Sequence, residues 1–288
     1  TAIDDLGLVP SGPHDKARNI VADPHAGLDD LVTALDEGLL ADPGLAELPG
    51  RFLLAVAEPG GAVLGEPWDV AIVTSPLAEV RGTSLEATLL AADRAITVPR
   101  ESAAAAALDV ARRFLAARTD ARTWNLRDLP DEARADLLPG GAPFDVVAGD
   151  PPAPGPVGDD LVALVPLGLL TPDMVEELEG TLRITPWRSV VVPGGAGRAA
   201  ELAAAGFATT ADSPWTVLTA CAGAPSCART TTRTRDLAAE AAPFVDVTGP
   251  AVHVIGCERS CGHPARAHAT ALNPTSAADV VAAQHEKA

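Results

Sequence analysis

Apolar positions along the chain recur in two rhythms. Asp29 to Leu40 carries Leu and Val at helical spacing, and residues 101–119 line Ala, Leu and Val along one side. Arg112, Arg113 and Arg118 lie toward the C-terminal end of that second stretch, where cations complement the unpaired carbonyls of a helix. RFLLAVA, from Arg51 to Ala57, and DVAIVT, from Asp69 to Thr74, read as buried strands, and a third short strand is expected between Leu89 and Val98. Residues 1–27, broken by Pro13 and Pro24, read as loop.

Gly140 to Asp160 is rich in proline and glycine and reads as a linker. The rhythm resumes with a strand at Leu161–Leu167. A helix opens at Thr171, with Thr as N-cap, proline in the first turn and Gly180 at its end. Strands are expected at Leu182–Ile184, Ser189–Val192, Trp215–Thr219 and Val252–Ile255. Helices are expected within residues 194–206, where a glycine turn opens a short one, and at Arg235–Ala241, with a short Ala-rich tail from Ala269 to Ala288. The fold class is α+β with α/β-like alternation, divided near residue 150, and no repeat of 20–50 residues is visible.

Of 288 residues, 21 are Lys or Arg and 39 Asp or Glu, giving a formal charge of −18. That balance excludes the basic field needed by a nucleic-acid binder and disfavours an anionic membrane surface. With no apolar run of about 18 residues and no basic, apolar leader in TAIDDLGLVPSG, the sequence reads as cytoplasmic, with neither nucleic acid nor membrane as partner. The basic residues are all arginine except Lys16 and Lys287.

The four cysteines fall into two pairs, Cys221-x5-Cys227 and Cys257-x3-Cys261, each directly after an expected strand and in a glycine-bearing loop. Free core thiols, a disulfide pair, a structural zinc and an iron–sulfur cluster compete for this pattern. Zinc favours tighter pairs than x5, whereas four thiolates around an iron–sulfur cube tolerate wider loops, and glycine lets backbone N–H groups approach the sulfides.

TACAGAPSCART followed by VHVIGCERSCGHP resembles the cluster signature of the nitrite/sulfite reductase superfamily, and within it most resembles the precorrin-3B synthases of cobalamin biosynthesis. ARNIVADPHAGLD, LPGRF and VPLGLLTPDMVEEL with LRITPWRSVVVPG match further segments in order, so the resemblance covers nearly the whole chain. It implies a nitrite/sulfite reductase-like fold: a tetrapyrrole-binding domain over 1–139, the linker at 140–160, a ferredoxin-like half-domain over 161–205 and a cluster-binding domain over 206–288. It implies that Cys221, Cys227, Cys257 and Cys261 ligate a [4Fe–4S] cluster, with a mononuclear iron as a further candidate. The implied partners are an anionic tetrapyrrole and an electron donor, either an NAD(P)H-linked reductase or a ferredoxin. The implied activity is O2-dependent hydroxylation and lactone formation on precorrin-3A. The alternatives are a siroheme-dependent nitrite or sulfite reductase and an inactive tetrapyrrole- or cluster-binding fragment. No catalytic side chain is singled out.

By the same resemblance Arg18, Asn19, Arg51, Arg183 and Arg188 bind the carboxylates of the tetrapyrrole, a task suited to the planar guanidinium fork. Arg229, Arg233 and Arg235 are candidates to offset cluster charge or to reach the substrate. His253 and His263 are read as proton carriers, iron ligands or plain loop caps. Trp187 and Trp215 read as packing residues. The sequence departs from the family in three places. Another ferredoxin-like half-domain is expected upstream, with residues 3–12 as the end of it. Leu53 stands where the reductases carry a second lysine, which favours the cobalamin branch. The stretch after Cys261 is shorter than the strand-rich ending of the family.

Overall fold

The computed structural model describes residues 11–25, 27–74 and 86–286; the upstream segment at 3–12 lies almost wholly outside them. The chain forms two compact units, Thr1–Pro151 and Pro152–Ala288.

The first unit is built on a six-stranded sheet in the order β1 (Ile20–Ala22), β2 (Leu54–Ala57), β3 (Val70–Thr74), β4 (Glu86–Ala91), β5 (Arg94–Pro99) and β6 (Ala142–Pro143). β1, β2 and β3 are parallel, and the remaining neighbours are antiparallel. Helix α1 (Asp29–Ala41) makes the crossover from β1 to β2, as parallel neighbours require. It buries Leu31, Leu35 and Leu39, the stripe its spacing predicts. Helix α2 (Ala103–Ala117) buries Ala107, Leu108, Ala111 and Phe114, and the ring of Phe114 lies 5.0 Å from that of Phe52. The two helices approach closely because residue 38 is glycine: a Cβ there would stand 2.4 Å from Leu108 Cδ1. Helix α3 (Asp131–Ala135) completes the unit.

The second unit holds two sheets. β7 (Gly155–Val157), β8 (Asp160–Leu164), β10 (Ser189–Val192) and β9 (Arg183–Ile184) form an antiparallel sheet in that order, flanked by the short helices α4 (Pro172–Glu176) and α5 (Ala199–Ala204). β11 (Leu218–Ala220), β12 (Ala251–Ile255) and β13 (His268–Leu272) form a parallel sheet. Helix α6 (Thr234–Ala241) connects β11 to β12, and α7 (Ala277–His285) follows β13. One face of this sheet, with Leu218, Val252, Val254, Ala269 and Ala271, packs on Ala238, Ala241 and Val280 of the two helices.

Several elements depart from the pattern-based reading. The expected single strand at Leu89–Val98 is the hairpin β4–β5, whose turn holds Ala92 at φ +54, a position without the usual glycine signal. The expected loop of residues 1–27 contains β1, which is too short for its alternation to register. Trp215 lies in a 3-10 turn, so β11 begins only at Leu218. The Ala-rich tail is β13 and α7, the latter closed by a reciprocal capping box between Ser276 and Asp279.

Candidate metal centre and its surroundings

β11 and β12 are neighbours in register, Leu218 opposite Val252 and Ala220 opposite Val254. Cys221 extends this ladder, its N–H donating to the Val254 carbonyl at 2.9 Å. Cys257 follows β12 by two residues. Both cysteine loops therefore leave the same end of two adjacent strands.

Glycines set how closely the loops approach. Gly223, at φ +57, leaves no room for a Cβ, which would fall 2.2 Å from Thr234 Oγ1. Thr234 is fully buried; its hydroxyl donates to the Cys221 carbonyl at 2.8 Å and stands 3.7 Å from the sulfur. A Cβ at Gly256 would lie 2.5 Å from Thr230 Cγ2, so the second loop rests directly on the chain that leaves Cys227.

His253 ties the second loop down. It is fully buried, with Nε2 3.1 Å from the Cys261 carbonyl and Nδ1 2.7 Å from Thr219 Oγ1. A carbonyl can only accept, so Nε2–H donates to Cys261, and Nδ1 of the neutral ring accepts the Thr219 hydroxyl. Burial is the main cause that pulls this imidazole below its ordinary pKa; like charge from His268, His263 and Arg188 adds to it, while the bond to Cys261 opposes it. Of the readings open for His253, the geometry matches the loop cap.

All four thiols are free, three of them half-buried and Cys261 exposed. Their loops are brought together, but among the described residues no three His, Cys, Asp or Glu side chains form a metal-holding group. The loops carry turns closed by bonds from Cys227 N–H to Gly223 O and from Ser260 N–H to Cys257 O. The donor chemistry, four unoxidised thiols on glycine-mated loops, suits an iron–sulfur cluster. A cavity of about 490 Å³ beside Cys257 is lined by Arg229, Gly256, Glu258, Arg259, Leu272 and Asn273.

The candidate anion-binding residues divide between the units. In the first, Arg18 and Asn19 precede β1 and Arg51 precedes β2, at one edge of the parallel pair, where the Asn19 carbonyl accepts from Leu54 N–H. The Arg18 fork is engaged by Asp36 through two bonds of 2.6 and 2.9 Å. The Asn19 amide donates to the Lys16 carbonyl. Arg51 lies over Trp124, 5.6 Å from the ring centre. In the second unit Arg183 is on β9 and Arg188 enters β10. Arg188 is held at φ +59, and its carbonyl accepts from Val165 N–H. Arg233 pairs with Asp236, and Arg235 Nε is buried without a hydrogen-bond partner. Arg266 and His268 carry no signal in the sequence beyond following the CGHP segment.

No family model and no curated protein matches this chain. Among solved structures it is similar to the NirA protein of Mycobacterium tuberculosis, with a TM-score of 0.50 at 18% identity over 85% of this chain and 55% of that one. The fold is nitrite/sulfite reductase-like. The chain thus spans about half the length of that solved protein. Among the described residues no helix is long and apolar enough to cross a membrane.

Proposed function

We propose that this chain is an iron–sulfur oxidoreductase of the precorrin-3B synthase type, acting on an anionic tetrapyrrole. The observation that carries the reading is the mating of the two cysteine loops at the ends of β11 and β12, through Gly256 and Thr230, with all four thiols free. Cys221, Cys227, Cys257 and Cys261 would hold a [4Fe–4S] cluster, which supplies one-electron transfer when bound. The chain's own residues perform the rest. His253 and Thr219 fix the Cys261 segment to the sheet, and Thr234 fixes Cys221. Arg51, Arg183 and Arg188 offer charge to ligand carboxylates, and Arg18 and Asn19 border the same strand edge as Arg51. The proposed reaction inserts one atom of O2 into precorrin-3A, releases the other as water and closes a lactone, with electrons from an NAD(P)H-linked reductase or a ferredoxin.

A siroheme-dependent nitrite or sulfite reductase is the second reading, favoured by the fold and opposed by Leu53. Anaerobic iron and acid-labile sulfide analysis tests the cluster. About four irons and four sulfides per chain are expected, with a marked loss in Cys261→Ser. Zinc without sulfide would overturn the proposal, and a strong Soret band from bound siroheme would transfer it to the second reading.

A further inference from the structure

Thr234 is the first residue of α6 and is fully buried, and its hydroxyl meets two groups of one cysteine. It donates to the Cys221 carbonyl at 2.8 Å and stands 3.7 Å from the Cys221 sulfur. Among the described residues no other side chain comes within hydrogen-bond distance of a cysteine sulfur. A hydroxyl carries one proton and two lone pairs. With Cys221 a free thiol, the three groups are satisfied in a row: the S–H donates to the threonine oxygen, and the threonine O–H donates to the carbonyl. That row needs the thiol proton, and a thiolate that ligates metal has lost it.

Thr234 is held at this place from both sides. Gly223 lies against it, and a Cβ there would fall 2.2 Å from Oγ1 and 2.8 Å from the Thr234 nitrogen. The Ala224 N–H donates to the Thr232 carbonyl at 2.9 Å, which clamps the cysteine loop to the chain entering α6. The loop's own donors are largely committed. Cys221 N–H goes to the Val254 carbonyl at 2.9 Å and Cys227 N–H to the Gly223 carbonyl at 2.8 Å, while Pro225 has no N–H. The N–H groups at 221, 224 and 227 are thus spent on carbonyls, and the Thr234 hydroxyl is the donor placed beside the Cys221 sulfur.

We propose that Thr234 sets the reduction potential of the cluster, through an O–H···S bond to Cys221. The inference rests on the proposed function and adds a residue that controls its electron transfer. A ligating Cys221 sulfur is anionic and can only accept. The hydroxyl proton is then drawn from the carbonyl toward the sulfur, and more so after one-electron reduction, which adds negative charge shared among irons and sulfurs. A donor at that sulfur therefore stabilises the reduced form more than the oxidised form and raises the potential. Burial strengthens the effect, because no solvent competes for the proton. A Thr234 that only anchored the loop would hold the carbonyl and leave the potential unmoved.

Anaerobic redox titration of the iron-loaded full chain, followed by electron paramagnetic resonance, tests this in wild type, Thr234→Val and Thr234→Ser. Valine keeps the shape and loses the hydroxyl. At a fixed potential its reduced-to-oxidised ratio should fall about tenfold, which for one electron is a midpoint about 59 mV lower. Serine keeps the hydroxyl and should stay within about threefold of wild type. Thr74→Val, which removes a buried hydroxyl from the first unit, should leave the ratio unchanged. Thr234→Ala supplies the same reading should the valine variant fail to load iron. A wild-type ratio in a loaded variant without the hydroxyl overturns the inference, as does a serine variant shifted as far as valine. Failure of both hydroxyl-free variants to load, with serine loading normally, also overturns it, because Thr234 then serves assembly alone. Wild type devoid of iron and sulfide defeats the proposed function, whereas a loaded cluster indifferent to the hydroxyl defeats this inference alone.

Discussion

Asp69 is a carboxylate buried in the first unit and fed by three N–H donors: Leu53 at 3.0 Å, Leu126 at 2.7 Å and the Asn125 amide at 2.9 Å. Asn125 also reaches the Arg51 carbonyl, so this cluster joins the segment before β2 to the segment that carries Trp124. Burial raises the Asp69 pKa above the ordinary carboxylate range, the three bonds offsetting only part of it. The folded protein therefore binds the Asp69 proton more tightly than the unfolded chain does. Between about pH 4 and the folded pKa, native protein holds more protons, so this group's contribution to stability falls as pH rises. Asp69→Asn does not titrate and is destabilising throughout, since its NH2 faces an N–H donor. Its melting-temperature deficit relative to wild type should narrow from pH 4 to pH 6; a widening deficit would reverse the assignment of Asp69 as a desolvated acid. Asp69→Ala leaves three donors without an acceptor and should cost about 3 kcal/mol in denaturant titration.

Helix α7 shows where sequence patterning stops being informative. Ala277–His285 is too Ala-rich to display a clear apolar stripe, and beside Val280, which packs on the sheet, its anchor is polar. Gln284 is fully buried; its amide donates to the carbonyls of Asp246 and Pro250, both at 2.8 Å, while its oxygen accepts from Asp246 N–H at 3.0 Å. Such a bond set depends on chain segments 34 and 38 residues away, which no local window can register. Gln284→Ala should destabilise the second unit by about 1–2 kcal/mol, because a fully buried side chain loses three part-buried hydrogen bonds; hydrogen exchange at Asp246 should rise with it. By contrast, α1, α2 and the strands leading into the two cysteine pairs were legible, because each carries its own hydrophobic period or ends at a cysteine. The pairing of the cysteine loops was legible as two strand ends, but their contact through Gly256 and Thr230 was not, since a glycine announces only permission to approach. Arg18 shows the opposite limit: its segment is recognisable, yet the engagement of its fork by Asp36 depends on how α1 packs beside β1.

At the scale of the whole molecule, each unit has arginines with and without an acidic partner; in the first, Arg51, Arg94, Arg118, Arg122 and Arg127 make no ion pair among the described residues. In the first unit Arg18, Arg100, Arg112, Arg113 and Arg134 each pair with an aspartate. In the second, Arg198 and Arg233 do so with acidic neighbours, while Arg188, Arg229, Arg235, Arg259 and Arg266 have no carboxylate partner among the described residues. A chain of charge −18 thus leaves these guanidinium groups without an acidic partner. The net charge and these groups act over different distances, and salt separates them. At about 0.01 M salt the screening length is near 30 Å, so an approaching trianion feels the net negative charge; near 0.15 M it shrinks to about 8 Å, and only the nearby guanidinium groups remain in view. At about 1 M, with a length near 3 Å, even that attraction is screened. The affinity for tricarballylate, a small tricarboxylate probe of the arginines proposed to meet ligand carboxylates, should therefore rise between the first two conditions and fall toward the third. Calorimetry across this series decides the matter: affinity that falls steadily from the lowest salt would mean that the distant acids contribute nothing and that the nearby arginines alone set the field met by a polyanionic ligand.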